Sequence, residues 1–146
     1  MTRLLLRVGG VLLVAGWAIG SATRVQEWTD ERRLWAAAVR EGPSKPRPLI
    51  NYANTLTHTA PDLAKTYYAE AIRLAEQPGR TGAERTVGVA IATVNAALLR
   101  MDTPGGDVTL AVRDIHQATD RYRVAELRQV EAWVDRRVIA LGGSVP

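Results

Sequence analysis

The chain has 146 residues, of which 47% are hydrophobic and 23% charged, so it is long enough and apolar enough to bury one sizeable core. It has no cysteine, which excludes disulfides, thiolate metal ligands and a cysteine nucleophile. The net charge is +4, but basic residues alternate with acidic ones along the predicted helices. Such alternation is typical of solvated helix faces, so we expect no nucleic-acid partner.

Residues 4–22 form an apolar segment whose one charged residue, Arg7, lies near its start. As a helix, this segment would span roughly 28 Å at about 1.5 Å per residue, close to the roughly 30 Å hydrocarbon core of a bilayer. We therefore predict that residues 1–23 are a signal anchor or transmembrane helix. Two alternatives are a signal peptide cleaved after Ala22 and a buried N-terminal helix of a soluble domain.

The charges that flank this segment predict its orientation. Arg3, Arg7 and the N-terminal amine precede the apolar run without any acid, whereas acids balance the arginines that follow it. By the positive-inside rule, the N-terminus stays cytoplasmic. We expect a single span in the cytoplasmic membrane, with residues 24–146 forming an extracytoplasmic helical domain.

The first helix of that domain is predicted over residues 24–41. Its apolar positions recur at helical spacing: Val25, Trp28, Trp35 and Val39. Gly42-Pro43 ends it, because glycine suits the position after a helix and proline cannot continue one. The three prolines of residues 42–48 predict a stiff, extended connector.

Two helices with a short turn follow, over residues 47–59 and 62–77. Ala60-Pro61-Asp62 forms the turn, and Pro61 and Asp62 suit the start of the second helix. Pro78-Gly79 ends the pair. The spacing of small and large apolar residues predicts that the two helices pack against each other as a hairpin.

A second hairpin and a last helix complete the chain. Thr81 and Glu84 have the spacing of a capping box, and the helix that follows extends to about Met101. A turn precedes a helix over residues 107–118. The final helix is predicted over residues 120–141, with a polar outer side that suits the terminal cap of a solenoid. The apolar stripes of the two longer helices are Val87, Ile91, Val94 and Leu98, and then Leu127, Val130, Val134, Val138 and Leu141.

The first hairpin resembles a tetratricopeptide (TPR) unit, a helix-turn-helix repeat of about 34 residues. The matching residues are Leu49, Tyr52, Ala53 and Leu56 in its first helix, and Ala64, Tyr68 and Ala71 in its second. The turn is about one residue shorter than in the family, and Glu76 stands at the family's terminal proline. The resemblance implies an all-α fold, a short TPR-like α-solenoid of helical hairpins preceded by an apolar helix.

Weaker resemblances extend this interpretation on both sides of the first hairpin. The Trp-rich helix closed by Pro43 resembles a degenerate unit. Asn95-Ala96-Ala97 matches Asn51-Tyr52-Ala53, and Ala111 and Ala118 match the alanines of the first hairpin. The order of apolar span, Trp-rich helix and Pro-rich segment is similar to the junction before the TPRs of bacterial membrane proteins related to protein O-mannosyltransferases.

In a TPR, the first-helix residues that face away from the second helix line a concave groove. The resemblance therefore implies a set of partner-binding residues: Arg47, Asn51, Asn54, His58 and, in the second hairpin, Asn95. Asparagine amides can bind a peptide backbone and arginine can bind a carboxylate. The alternative is that Asn51 and Asn54 hydrogen-bond neighbouring helices or face water.

Catalytic patterns are missing from the sequence. The two histidines, His58 and His116, lack metal-binding spacing, and there is no Gly-x-Ser-x-Gly elbow or Gly-rich phosphate loop. We expect no enzyme activity, catalytic residue, metal or cofactor. The leading hypothesis is a membrane-anchored extracytoplasmic scaffold that binds a protein or peptide partner, with membrane proteins among the candidates. The alternatives are an accessory or tail module of a membrane glycosyltransferase system and a secreted soluble helical protein.

Overall fold

The computed structural model describes residues 30–141, except the side chain at position 87, together with Gly9, Leu13, Gly16, Trp17 and Gly20. Those five residues are helical and exposed. The rest of the predicted anchor, residues 4–22, lies outside the described residues, as do residues 24–29 of the first predicted helix. Among the residues that are described, no helix combines the length and the apolar character that crossing a membrane requires.

Residues 30–141 contain helices and connecting turns, and no strand occurs in this part of the chain. The all-α prediction is therefore confirmed. The elements are α1 (Glu31–Glu41), α2 (Pro46–Leu56), α3 (Pro61–Ala75), α4 (Gly82–Arg85), the π-helix (Thr86–Ile91), α5 (Ala92–Asp102), α6 (Val108–Tyr122) and α7 (Ala125–Ala140). Three of the elements, α4, the π-helix and α5, follow one another without a gap and form one long helix, Gly82–Asp102.

The helices pack in chain order, α1 on α2, α2 on α3, α3 on α5, α5 on α6 and α6 on α7. The α2–α3 hairpin encloses the first of two apolar clusters. Ala53, Ala64 and Ala71 are fully buried there, because small side chains let the two helix backbones approach closely. The larger buried members of the first cluster are Leu49, Ile50, Leu56, Tyr68, Leu74 and Leu99.

The second cluster lies between α5, α6 and α7, and polar pairs connect the same helices. Its larger buried side chains are Val94, Val112, Ile115, Leu127, Val134 and Val138. Arg100 Nη1 of α5 lies 2.7 Å from Asp114 Oδ2 of α6. His116 Nε2 of α6 lies 2.8 Å from Asp135 Oδ1 of α7. The helix Gly82–Asp102 thus stands between the two clusters and is buried on two sides, where the sequence predicted one apolar stripe.

The predicted helix over residues 24–41 and the predicted extended connector over residues 42–48 both differ from the structure for local reasons. Asp30 is extended (φ −125°, ψ 110°), so α1 begins at Glu31 and does not continue through residue 30. The Asp30 side chain accepts hydrogen bonds from the backbone N–H groups of Arg32 and Arg33, which is the chemistry of a helix N-cap. In addition, α2 begins at Pro46 and includes two prolines of the predicted connector, because the first turn of a helix needs no backbone N–H donors.

The boundary between the last two helices also differs from the prediction. Helix α6 continues past residue 118 to Tyr122, since Ala118 and Thr119 are buried and packing stabilises the added turn. The chain reverses at Arg123, which has a left-handed backbone conformation (φ 51°). The sequence does not predict this break, because glycine and asparagine are the usual residues in the left-handed conformation and position 123 is an arginine.

Candidate functional site

An open cleft of about 520 Å³ lies where the end of α2 and the start of α3 meet α5. We call it the Asn54 cleft. It brings together three of the five predicted partner-binding residues, Asn54, His58 and Asn95. Its remaining lining residues are Thr57, Pro61, Tyr68, Leu98, Leu99, Asp102, Thr103 and Pro104.

Asn54 joins the three helices around this cleft. Its Oδ1 accepts a hydrogen bond from Tyr68 Oη of α3 at 2.6 Å and another from Asn95 Nδ2 of α5 at 3.0 Å. For Asn54, the alternative that the sequence left open, a hydrogen bond to neighbouring helices, is therefore observed. These two bonds fix the orientation of the Asn54 amide.

Tyr68 supplies the buried end of this network. Its side chain is 1% exposed and belongs to the first apolar cluster, and only its hydroxyl reaches the polar groups of the cleft. Burial raises the pKa of Tyr68 to about 12, because an apolar environment disfavours the phenolate. The hydroxyl therefore remains a hydrogen-bond donor to Asn54 throughout the physiological pH range.

This pKa predicts a loss of stability at alkaline pH. The Tyr68 hydroxyl keeps its proton in the folded chain up to about pH 12, whereas in the unfolded chain it ionises near the ordinary value of about 10. Its contribution is complete below pH 10 and decreases as the pH rises from about 10 to 12. Denaturant unfolding at pH 8–12 should show the stability difference between the wild type and Tyr68→Phe shrinking in that window. A stability difference that stayed constant from pH 8 to pH 12 would contradict this prediction.

The amide atoms of Asn54 and Asn95 that this network leaves unbonded can form hydrogen bonds with a peptide backbone. With Asn54 Oδ1 engaged, Asn54 Nδ2 is a remaining donor, and with Asn95 Nδ2 engaged, Asn95 Oδ1 is a remaining acceptor. Neither atom has a hydrogen-bond partner among residues 30–141. Leu98, Leu99 and Pro104 add apolar surface beside this pair. The cleft thus offers a donor, an acceptor and a place for an apolar side chain.

The charged groups near the Asn54 cleft argue against an acidic ligand. None of the described residues that line it is an arginine or a lysine. Its one carboxylate, Asp102, lies 3.1 Å from Arg137 Nη1 of α7. A bound segment with no net negative charge fits these surroundings.

The other two predicted residues do not share this cleft. Arg47 lines a second cleft, of about 450 Å³, that we call the Arg47 cleft. It lies between α1, the start of α2, α4 and the π-helix. Asn51 is half-buried and lines neither cleft. The predicted groove of five residues is therefore divided, and the carboxylate-binding role of Arg47 is separated from the asparagine pair. His58 falls in the turn after α2, which ends three residues earlier than predicted.

Two contributors to the Asn54 cleft were not predicted as site residues. The sequence matches Tyr68 to a position of the TPR unit, and that match says nothing about the direction of its hydroxyl. The turn Asp102-Thr103-Pro104 was identified as a turn, but its position beside α2 depends on how the two hairpins pack. A tyrosine at a core position is the one available signal, since a buried tyrosine hydroxyl usually has a hydrogen-bond partner.

Among the residues that the structure describes, no group of three or more histidine, aspartate or glutamate side chains is arranged so that it could hold a metal ion. His116 has Asp135 at 2.8 Å on one ring nitrogen and Glu131 at 3.7 Å on the other. Both nitrogens of His116 thus face carboxylates of α7, and the arrangement connects α6 to α7.

Comparison with family models, with curated proteins and with solved structures finds no match to this chain.

Proposed function

We propose that this chain is a TPR-like interaction module that binds a short, extended peptide segment of a partner protein in the Asn54 cleft. The observation that carries the proposal is the asparagine pair, which joins two hairpins and leaves one donor and one acceptor at the cleft. A peptide group presents one acceptor and one donor, so the pair matches it. Catalysis is not part of this proposal.

The arrangement of the helices supports the TPR-like part of the proposal. In the first hairpin, Ala64 and Ala71 flank the buried Tyr68 on α3, and in the second, Ala111 and Ala118 flank the buried Ile115 on α6. Each set repeats the same seven-residue spacing, with small residues where the paired helix approaches. Helices that pack in chain order are the pattern of a solenoid, and α7 would close its end.

The dimensions of the Asn54 cleft favour a short segment. A volume of about 520 Å³ lies within the range of about 300–1,000 Å³ that is usual for ligand sites. The cleft accommodates one or two side chains and the backbone between them. An apolar side chain against Leu98 and Leu99, with its peptide group on the asparagine pair, uses both the polar and the apolar part of the lining.

Membrane attachment is the second part of the proposal and rests on sequence. Residues 4–22 would anchor the chain in the cytoplasmic membrane with the helical domain outside the cytoplasm, as the flanking charges predict. Fractionation of the tagged full-length chain tests this part. Recovery in the membrane fraction is expected, and recovery only in the soluble cytoplasm would contradict the anchor and its orientation.

Replacing Asn95 with alanine tests the cleft. We expect peptides selected from a random library on the full-length chain to bind Asn95→Ala about five- to thirtyfold more weakly. The substitution removes the acceptor and releases the Asn54 amide, and one or two hydrogen bonds are worth about 1 kcal/mol each. Dissociation constants from calorimetry or fluorescence anisotropy measure the effect.

Asn51→Ala is the matched control for this experiment. Asn51 and Asn95 are the same residue type and both are half-buried, but only Asn95 lines the Asn54 cleft. Peptide affinity should remain unchanged in Asn51→Ala. If Asn95→Ala bound the selected peptides as tightly as the wild type, or if both variants lost affinity equally, the peptides would bind elsewhere and the proposal would fail.

A further inference from the structure

Helix α7 presents an outer face on which arginines alternate with apolar residues. Arg128, Ala132, Arg136 and Ile139 lie on this face at successive spacings of four, four and three residues, and all four are exposed. Ile139 is 61% exposed, and Trp133 at the edge of the face is 46% exposed. We call these five residues the outer face of α7. Exposed apolar side chains beside arginines give this face a basic and amphipathic character.

The acids of α7 contribute little to this face. Glu131 and Asp135 are half-buried, and both carboxylates lie against His116 of α6. The remaining acid, Glu126, lies in the first turn. Arg128 and Arg136 form no ion pair or hydrogen bond within residues 30–141. The outer face therefore carries an uncompensated positive charge, although both signs are present on the helix.

The edge of the outer face also combines an arginine with exposed apolar side chains. The Arg137 guanidinium lies 5.3 Å from the centre of the Trp133 ring and also pairs with Asp102 at 3.1 Å. These contacts hold the indole at the surface, since a cation over an aromatic ring is attracted to its face. Just past the helix end, Leu141 is 81% exposed. Indole and arginine together are the side chains that suit the boundary between lipid head groups and acyl chains.

We propose that the outer face of α7 docks on an anionic phospholipid surface. The arginines match lipid phosphates in charge, and Ile139 and Trp133 reach the acyl boundary, which is how basic amphipathic helices bind membranes. A second copy of this chain fits less well, because a two-fold contact would bring two faces of the same positive charge together. The proposal concerns a different surface from the Asn54 cleft and does not depend on peptide binding.

A single fluorescent label tests the docking, because the wild-type chain has no cysteine. Ala132→Cys places a polarity-sensitive dye between the two arginines, and Ala69→Cys, at an exposed site on α3, is the matched control. The labelled full-length chain is mixed with vesicles of phosphatidylcholine alone or of phosphatidylcholine with phosphatidylglycerol. We expect the dye at position 132 to shift to shorter wavelength and gain intensity severalfold only with phosphatidylglycerol. At position 69 we expect no response.

Charge reversal separates docking from insertion of the predicted anchor. Arg128→Glu with Arg136→Glu should raise the lipid concentration needed for a half-maximal response at position 132 at least about 25-fold, since each arginine contributes about fivefold to the affinity for an anionic surface. Circular dichroism should remain unchanged, because neither arginine has a partner in the described part of the chain. An equal response with both vesicles, or no effect of charge reversal, would overturn the proposal. So would a response that grows with protein concentration without lipid, which would indicate self-association.

Discussion

Gly88→Ala is expected to lower the free energy of unfolding by about 1–3 kcal/mol, although alanine is the better helix former. A Cβ at position 88 would lie 2.4 Å from the Cβ of Ala75 and 3.1 Å from the Cβ of Pro46. Neither neighbour can move aside, because an alanine methyl group and a proline ring are fixed to the backbone. The π-helix would have to move away from the end of α3 and the start of α2. Thermal and denaturant unfolding measure the loss.

Gly82→Ala is the control that isolates this close contact. Gly82 begins the same continuous helix, and a Cβ there would meet nothing within 4 Å. We expect Gly82→Ala to leave the stability unchanged or to raise it by up to about 1 kcal/mol, as replacement of an unconstrained glycine in a helix does. If the two variants had the same stability, the close approach at Gly88 would not contribute to the fold.

Tyr68→Ala is expected to cost about 3–5 kcal/mol, a large part of the 5–15 kcal/mol that stabilises a typical domain. Tyr68 is among the largest fully buried side chains, and its ring lies in the first apolar cluster between α2 and α3. The substitution leaves a cavity and also removes the hydroxyl that donates to Asn54. Unfolding monitored by circular dichroism should show a markedly lower midpoint.

Two further variants separate the contributions of the Tyr68 ring and the Tyr68 hydroxyl to stability. Tyr68→Phe keeps the ring, so it should cost only about 1 kcal/mol for the lost hydrogen bond. Tyr67→Ala removes the adjacent tyrosine, which is half-buried and packs edge-on against Tyr52 with ring centres 5.0 Å apart. We expect Tyr67→Ala to lower the free energy of unfolding by less than Tyr68→Ala does. If Tyr68→Ala cost no more than Tyr68→Phe, the ring would have no role in the core.

Local chemistry explains where the sequence predicted the structure correctly. The capping box is present, with Glu84 N–H donating to Thr81 Oγ1 and Thr81 N–H donating to Glu84 Oε2. The hairpin of α2 and α3 and its buried alanines also follow from short-range spacing, because a helix places residues three and four apart on one side. These features depend on neighbours in the chain, so no knowledge of the tertiary structure is needed to identify them.

The location of the candidate site depends on contacts that are distant in the sequence. The TPR resemblance implied one groove for Arg47, Asn51, Asn54 and His58, but it could not show that these residues would not share one cleft. Asn54 and Asn95 are 41 positions apart, and their bond forms only because α5 packs beside the α2–α3 hairpin. Arg47 instead lines a cleft beside α4 and the π-helix, where Gly88 lets the backbones approach.

The sequence by itself therefore determined the all-α class, the first hairpin, the capping box and the small residues at the helix crossings. Each of these follows from backbone hydrogen bonding and from the periodicity of side chains along a helix. Only the tertiary structure decided that Asn54 and Asn95 share a cleft while Arg47 lies in another. The physical reason is that packing between hairpins sets these distances, through the burial of Tyr68 and the lack of a side chain at Gly88.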